Sequence, residues 1–139
     1  MLLMKDIIND QNKLIRTISK EVSLPLSKED HDLLMEMHEF LVASQDEELS
    51  EKYNLRPAVG IAAIQLGIPK RMCAIHVLDY DENGEPTKST DYALVNPKIV
   101  SYTQKQSYLK MVKLVYQQTK MLKVMYLVML KSQLKVMML

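Results

Sequence analysis

The stretch from Gly60 to Gln65 is where residue type and spacing could do chemistry. Its surroundings, Pro57-Ala58-Val59-Gly60-Ile61-Ala62-Ala63-Ile64-Gln65-Leu66-Gly67, are small, apolar and uncharged. Glycine has no Cβ, so another backbone can come close to Gly60. Ala62 and Ala63 keep the neighbourhood thin, and Gln65 brings one amide that can both donate and accept. A thin wall with one positioned amide suits the recognition of a carbonyl or the stabilisation of an oxyanion. The plainer alternative is a tightly packed strand and loop whose Gln side chain ties down its own backbone. On these residues alone that alternative is the commoner outcome.

Other chemistry-bearing residues are few. Cys73 is the one cysteine, which excludes an intramolecular disulfide and any multi-cysteine zinc site. Flanked by Met72 and Ala74 in an expected strand, it reads as inert core. His38-Glu39 begins a His-Glu-x-x-His pattern, but Val42 stands where the second His belongs. A lone His needs partners to hold a metal, so His38 reads as a partly exposed helix residue. His31 lies near a helix start. His76 alternates with Ile75 and Val77 and is expected on the less apolar side of its strand. No two His residues have metal-ligand spacing, so no metal site is expected.

The elements that must position these residues can be read in order. Ser27 to Ala43 is the clearest helix. Ser27 is its expected N-cap, and Glu29 and Asp30 place negative charge in the first turn. Leu33, Leu34, Met37, Phe40 and Leu41 recur at helical spacing. A shorter helix is expected around Met4–Asn9, separated from the long one by Pro25. Gln45–Arg56 is polar and reads as a loop or short helix. Met72–Val77 reads as a strand. Asp79–Ser89, with Asn83-Gly84 and Pro86, reads as a turn or hairpin loop. Tyr92–Val95 and Lys98–Tyr102 read as short strands around Asn96-Pro97. Helices first and short strands later predict an α+β domain.

The bulk numbers set limits. The 139 residues fit one domain, and a formal charge of +1 with 47% hydrophobic residues is a globular balance. Nothing in that charge calls for a nucleic-acid partner. No run of about 18 apolar residues exists, so a spanning helix is not expected. Charge arrives too early at Lys5 and Asp6 for a secretory leader, and a lone cysteine fits the cytoplasm. The averages hide a break, however. From Lys110 to Leu139 there is no Asp, Glu, Gly, Pro, His or Asn, yet six methionines and six lysines fall there. That stretch lacks the punctuation of an ordinary domain. Read as a basic amphipathic helix it would bind a membrane or a partner groove, but its apolar residues spread around the helix instead of forming a stripe.

Val59-Gly60-Ile61-Ala62-Ala63-Ile64-Gln65 resembles the first signature of peptide deformylases, Gly-Φ-Gly-Φ-Ala-Ala-x-Gln with Φ apolar. Other segments agree in order. Met4-Lys5-Asp6-Ile7-Ile8 resembles the family's opening, and Leu24-Pro25-Leu26-Ser27 follows. Ser44-Gln45-Asp46-Glu47-Glu48 resembles the insertion of the longer, Gram-positive-type members. Pro69-Lys70-Arg71-Met72 and Val95-Asn96-Pro97-Lys98-Ile99-Val100-Ser101 resemble later strands. The likeness runs from about residue 4 to residue 109, which makes 1–109 the N-terminal part of such a domain and 110–139 a non-family tail.

The resemblance implies an α+β fold with N-terminal helices followed by short antiparallel strands, cut off before the metal-bearing helix. It implies hydrolysis of the formyl group from the N-terminal formyl-methionine of nascent proteins at the ribosome, with a divalent metal, usually iron, activating the water. Gln65 would help to hold the formyl oxygen, and Val59, Gly60 and Ile61 would lie along the substrate. Two departures fall in the signature. Ala58 stands where the first Gly is usual, with strain to follow if positive φ is needed there, and Ile64 stands where Pro is common.

The larger departure is absence. The family's metal ligands are a Cys in Glu-Gly-Cys-Leu-Ser and two His in His-Glu-x-x-His, whose Glu is the acid/base. Neither motif occurs in these 139 residues, so no cofactor is expected in this chain and the activity is expected to be lost. The tail has a specific explanation. Back-translated from Met111 and read from the third base of each codon, it allows GGT, GAA, GCT, TGT, TTA, TCA, GCA, GAC and GAA. These encode Gly-Glu-Ala-Cys-Leu-Ser-Ala-Asp-Glu, close to the missing Cys motif and in its expected place. A frame shift after the family segment is the resulting expectation. Two other readings stand beside it: a non-catalytic binder of formyl-methionyl peptides, and a membrane or partner binder acting through the basic tail.

Overall fold

The computed structural model describes residues 1–98. The expected strand at Lys98–Tyr102, the boundary near residue 109 and the tail lie outside them. Met1–Asn96 forms one compact unit. It is α+β, as the sequence predicts, with two helices followed by three antiparallel strands.

Helix α1 spans Lys28–Gln45, and its N-cap is Ser27, whose Oγ accepts from the Asp30 amide at 3.1 Å. Leu34, Met37, Phe40, Leu41 and Ser44 are buried along it at helical spacing. Leu33, expected on the same face, is only partly buried beside this core. Asp46 leaves the helix in extended conformation and caps helix α2, Glu47–Tyr53, by accepting from the Leu49 amide at 2.8 Å. Asn54 ends α2 in the left-handed region, with φ 51°. Asn tolerates that region better than most residues.

The N-terminal segment is less helical than expected. Met4–Asp6 makes one 3-10 turn, because Asp6 accepts from the Leu3 amide at 2.9 Å and Ile7 already returns to extended backbone. A second 3-10 turn, Lys13–Arg16, was not apparent from the sequence. It is capped by Asn12, whose side chain accepts from the Leu14 amide.

The sheet runs β1 (Gly60–Ala62), β2 (Met72–Tyr80), β3 (Pro86–Val95), in that spatial order. Gly60 pairs with Ile75, and Ala62 with Cys73. The hairpin between β2 and β3 is longer than the sequence indicates. The ladder continues through Leu78↔Ser89 and Asp79↔Lys88, with an irregularity at Asp79/Tyr80, and the turn shrinks to residues 81–85. Asp81 shortens it by accepting from the Asn83 and Glu85 amides, while Gly84 takes φ +86°. The polar run Thr87–Thr90 hid this, since an exposed hairpin arm needs no apolar alternation.

Side-chain parity on β2 places Met72, Ala74 and His76 on one face. Met72 and Ala74 join Leu34, Met37, Phe40 and Ile61 in the core, so this is the face that α1 covers. His76, at 6% exposure, therefore lies under the helix and not on the less apolar side of its strand. Among the described residues no helix is long and apolar enough to cross a membrane.

Candidate functional site

The wall expected at Gly60–Gln65 is built from strand β1 and the 3-10 turn Ala63–Leu66 that follows it. Gly60, Ile61 and Ala63 are buried, and Val59, Ala62 and Gln65 are half-buried. The turn closes at Gly67, φ +76°, whose N–H donates to Ala63 and Ile64 carbonyls. A Cβ there would add strain at positive φ and lie 3.6 Å from Ile8 Cγ2. The Ile8 amide donates to the Gln65 carbonyl at 2.8 Å, so the N-terminal segment straps the turn from outside.

Gln65 does what the plainer sequence reading assigned to it. Its Oε1 accepts from the Ala62 amide at 2.8 Å. That bond fixes the side chain, and its Nε2 has no protein acceptor among the described residues. A held carbonyl with a free amide N–H₂ is a donor aimed by its own backbone. The two readings of Gln65 are therefore compatible. Ala58 does not sit at positive φ, so the strain tied to that departure does not arise.

Two residues that the sequence did not single out hold this wall to α1. Ser44 Oγ accepts from the Ala58 amide at 3.1 Å. Gln45 Nε2 donates to the Ala58 carbonyl at 2.8 Å and to the His76 carbonyl at 2.9 Å. One amide at the helix end thus ties β1's entry to β2. The His76 amide donates to the Val59 carbonyl at 2.9 Å. Strand β1 pairs only with β2 among the described residues, so its other edge offers unpaired backbone groups.

The histidines fall differently from expectation. His31 stays exposed near Asp32. His38 from α1 and His76 from β2 meet, with ring centroids 5.8 Å apart and planes at 86°. Asp91, the cross-strand partner of His76, lies between them. Its Oδ1 is 2.8 Å from His38 Nε2 and 2.5 Å from His76 Nδ1. The hydrogen bond from His76 first, and then that from His38, lowers the Asp91 carboxyl below its ordinary value. No two histidines have metal-ligand spacing along the chain, but such spacing says nothing of a pair formed between a helix and the strand beneath it, and His38 and His76 form one. Cys73 is half-buried, and burial pushes its thiol up to about 11.

Residues 4–113 match the family model described as polypeptide deformylase. The chain belongs to the polypeptide deformylase family. Peptide deformylase 2 of Bacillus cereus is 46% identical over 110 residues, covering 79% of this chain and 57% of that protein. The peptide deformylase of Staphylococcus epidermidis strain RP62A is 51% identical over 109 residues, covering 78% and 57%. That of Macrococcus caseolyticus is 53% identical over 112 residues, again covering 78% and 57%. The chain therefore spans a little over half the length of these relatives. In the fold comparison, a ligand-bound crystal structure of a class I type b peptide deformylase from Acinetobacter baumannii aligns with TM-score 0.51 at 20% identity. It covers 78% of this chain and 65% of the other, and bears on the fold alone.

The described residues do not fit the iron that the family resemblance implies. That metal takes a thiolate and two histidines from one helix. Here the single thiol, Cys73, is not among the clustered ligand groups of the described residues. The two histidines that do meet come from α1 and β2.

Proposed function

We propose that this chain carries the substrate-binding wall of a peptide deformylase, and that the 139 residues alone do not catalyse deformylation. The observation that carries the first half is the pairing of β1's open edge with Gln65 locked in place beside it. An extended formyl-methionyl peptide would lie along Val59, Gly60 and Ile61, with main-chain hydrogen bonds to those edge groups that β2 does not use. The free Nε2 of Gln65 would then donate to the formyl oxygen as it gains charge. Nascent chains at the ribosome, in the cytoplasm, are the substrates this reading assigns.

The second half rests on what the reaction needs. Amide hydrolysis requires an activated water, a group that moves the proton, and donors for the oxyanion. Gln65 supplies part of the last. Neither Glu-Gly-Cys-Leu-Ser nor His-Glu-x-x-His occurs in the chain. Support for a frame shift comes from the sequence after residue 109 and from the partial coverage of the relatives. The reading frame that yields Gly-Glu-Ala-Cys-Leu-Ser from Met111 should continue to a His-Glu-x-x-His codon set downstream. Sequencing the gene tests this: early stops in that frame, or no such motif, would end the frame-shift reading. Formate release from a formyl-methionyl peptide, compared between this chain and the frame-restored protein, tests the function. Restored activity with Gln65 in place supports it, and an inactive restored protein with a folded wall contradicts it.

A further inference from the structure

We infer that His38, His76 and Asp91 form a binding site for one zinc-class divalent cation, separate from the family's thiolate-containing centre. The site rests on no part of the deformylase reading. Its donors are two imidazole nitrogens and a carboxylate oxygen, all within 4.8 Å of one another. Each comes from a different element. His38 projects from α1, His76 from the covered face of β2, and Asp91 from the paired position on β3.

The backbone under the site is well fixed. His76 is held through its amide by Val59 and through its carbonyl by Gln45. Asp91 is locked opposite it by the ladder. The side chains grade from buried to open: 8% exposed at His76, 28% at His38 and 42% at Asp91. A cation can therefore enter past Asp91, and water can complete its coordination from the same side.

Asp91 Oδ1 accepts from both rings. A tetrahedral ion with bonds of about 2.0–2.2 Å spaces its ligands by roughly 3.3–3.5 Å. Binding then asks the exposed carboxylate to step back by roughly an ångström and the rings to close on the ion. In each ring the proton moves to the other nitrogen, His38 Nδ1 and His76 Nε2, leaving Nε2 and Nδ1 to coordinate. Two imidazoles and one carboxylate, with no thiolate, suit zinc, cobalt or nickel over soft monovalent copper, and suit magnesium or calcium poorly.

The test uses the 139-residue chain and zinc itself, titrated against a chromophoric chelator, with cobalt absorption as the second readout. His38→Gln and Asp91→Asn alter partly exposed side chains, and far-UV circular dichroism checks that each keeps its helices. One zinc per chain is expected. Each variant should weaken it by more than the about 10–100-fold typical of an outer-shell change. Cys73→Ser should leave binding unchanged, and the cobalt form should show d–d bands without a thiolate charge-transfer band. Absence of stoichiometric zinc in the unaltered chain would overturn the site. So would equal affinity in His38→Gln and Asp91→Asn, or loss of binding in Cys73→Ser.

Discussion

The Gly60–Gln65 wall and the His38–His76–Asp91 cluster lie on neighbouring strands, yet they are built in opposite ways. The wall is local: one strand, one 3-10 turn, and a Gln that bonds to the amide three residues before it. The cluster is assembled from residues 38 apart and 15 apart in sequence, through helix packing and strand register. The first kind of site survives as a sequence pattern, and the second appears only once the sheet and helix are docked. Gln45 joins them, since its one amide nitrogen reaches the carbonyls of both Ala58 and His76.

The largest effect should come from breaking what both regions share. Phe40 is 1% exposed and packs in the same core as Ile61 and Ala74. Phe40→Ala should cost about 3–5 kcal/mol of stability, read by urea unfolding, because it leaves a cavity under wall and cluster alike. A loss under about 1 kcal/mol would mean that the two regions do not share a core.

A second change separates the regions. In the frame-restored protein, Gln65→Ala should lower turnover by roughly 10²–10³-fold, the usual loss for one oxyanion donor. His38→Gln in the same protein should leave turnover near that of the parent. Equal losses in both would erase the distinction between wall and cluster.

The third effect concerns the thiol on β2. Burial raises Cys73 from 9.0 to about 11, so its thiolate population at pH 8 should be about 100-fold below that of an ordinary cysteine. Alkylation by iodoacetamide should be slower by the same factor in the folded chain and recover in urea. The sign on stability follows. Keeping the thiol neutral contributes fully below about pH 9, and that contribution is lost as pH rises from 9 towards 11. A thiol that reacts at the free-cysteine rate at pH 8 would remove this.

The smallest effect tests the joint. Gln45→Met keeps the length of the side chain and removes the N–H₂ group. It leaves the Ala58 carbonyl without that donor and should cost about 1–3 kcal/mol in urea unfolding. No change would show that Ser44 alone fastens the wall.

Much of this was legible in the sequence, and the failures have physical causes. Ser27 and the spacing of Leu34, Met37, Phe40 and Leu41 gave α1 its start and its buried face, because capping and helical period are local signals. The signature residues marked the wall for the same reason. The ends of the β2–β3 hairpin were hidden because its distal arm is exposed and polar, so alternation does not report it. His76 faces α1 and not the less apolar side that its neighbours indicate, because Met72–Val77 is apolar on both sides and a strand of that kind does not reveal its parity. Asp91 carries no local signal, since only strand register sets it opposite His76.

The most direct test is formate release from a formyl-methionyl peptide by the 139-residue chain, with ferrous or nickel ion added, beside a metal-only blank. The wall without the thiolate and the His-Glu-x-x-His pair predicts no turnover above the blank. Turnover above it, abolished by Gln65→Ala, would contradict the claim that this chain holds the substrate side of the site but not its catalytic side.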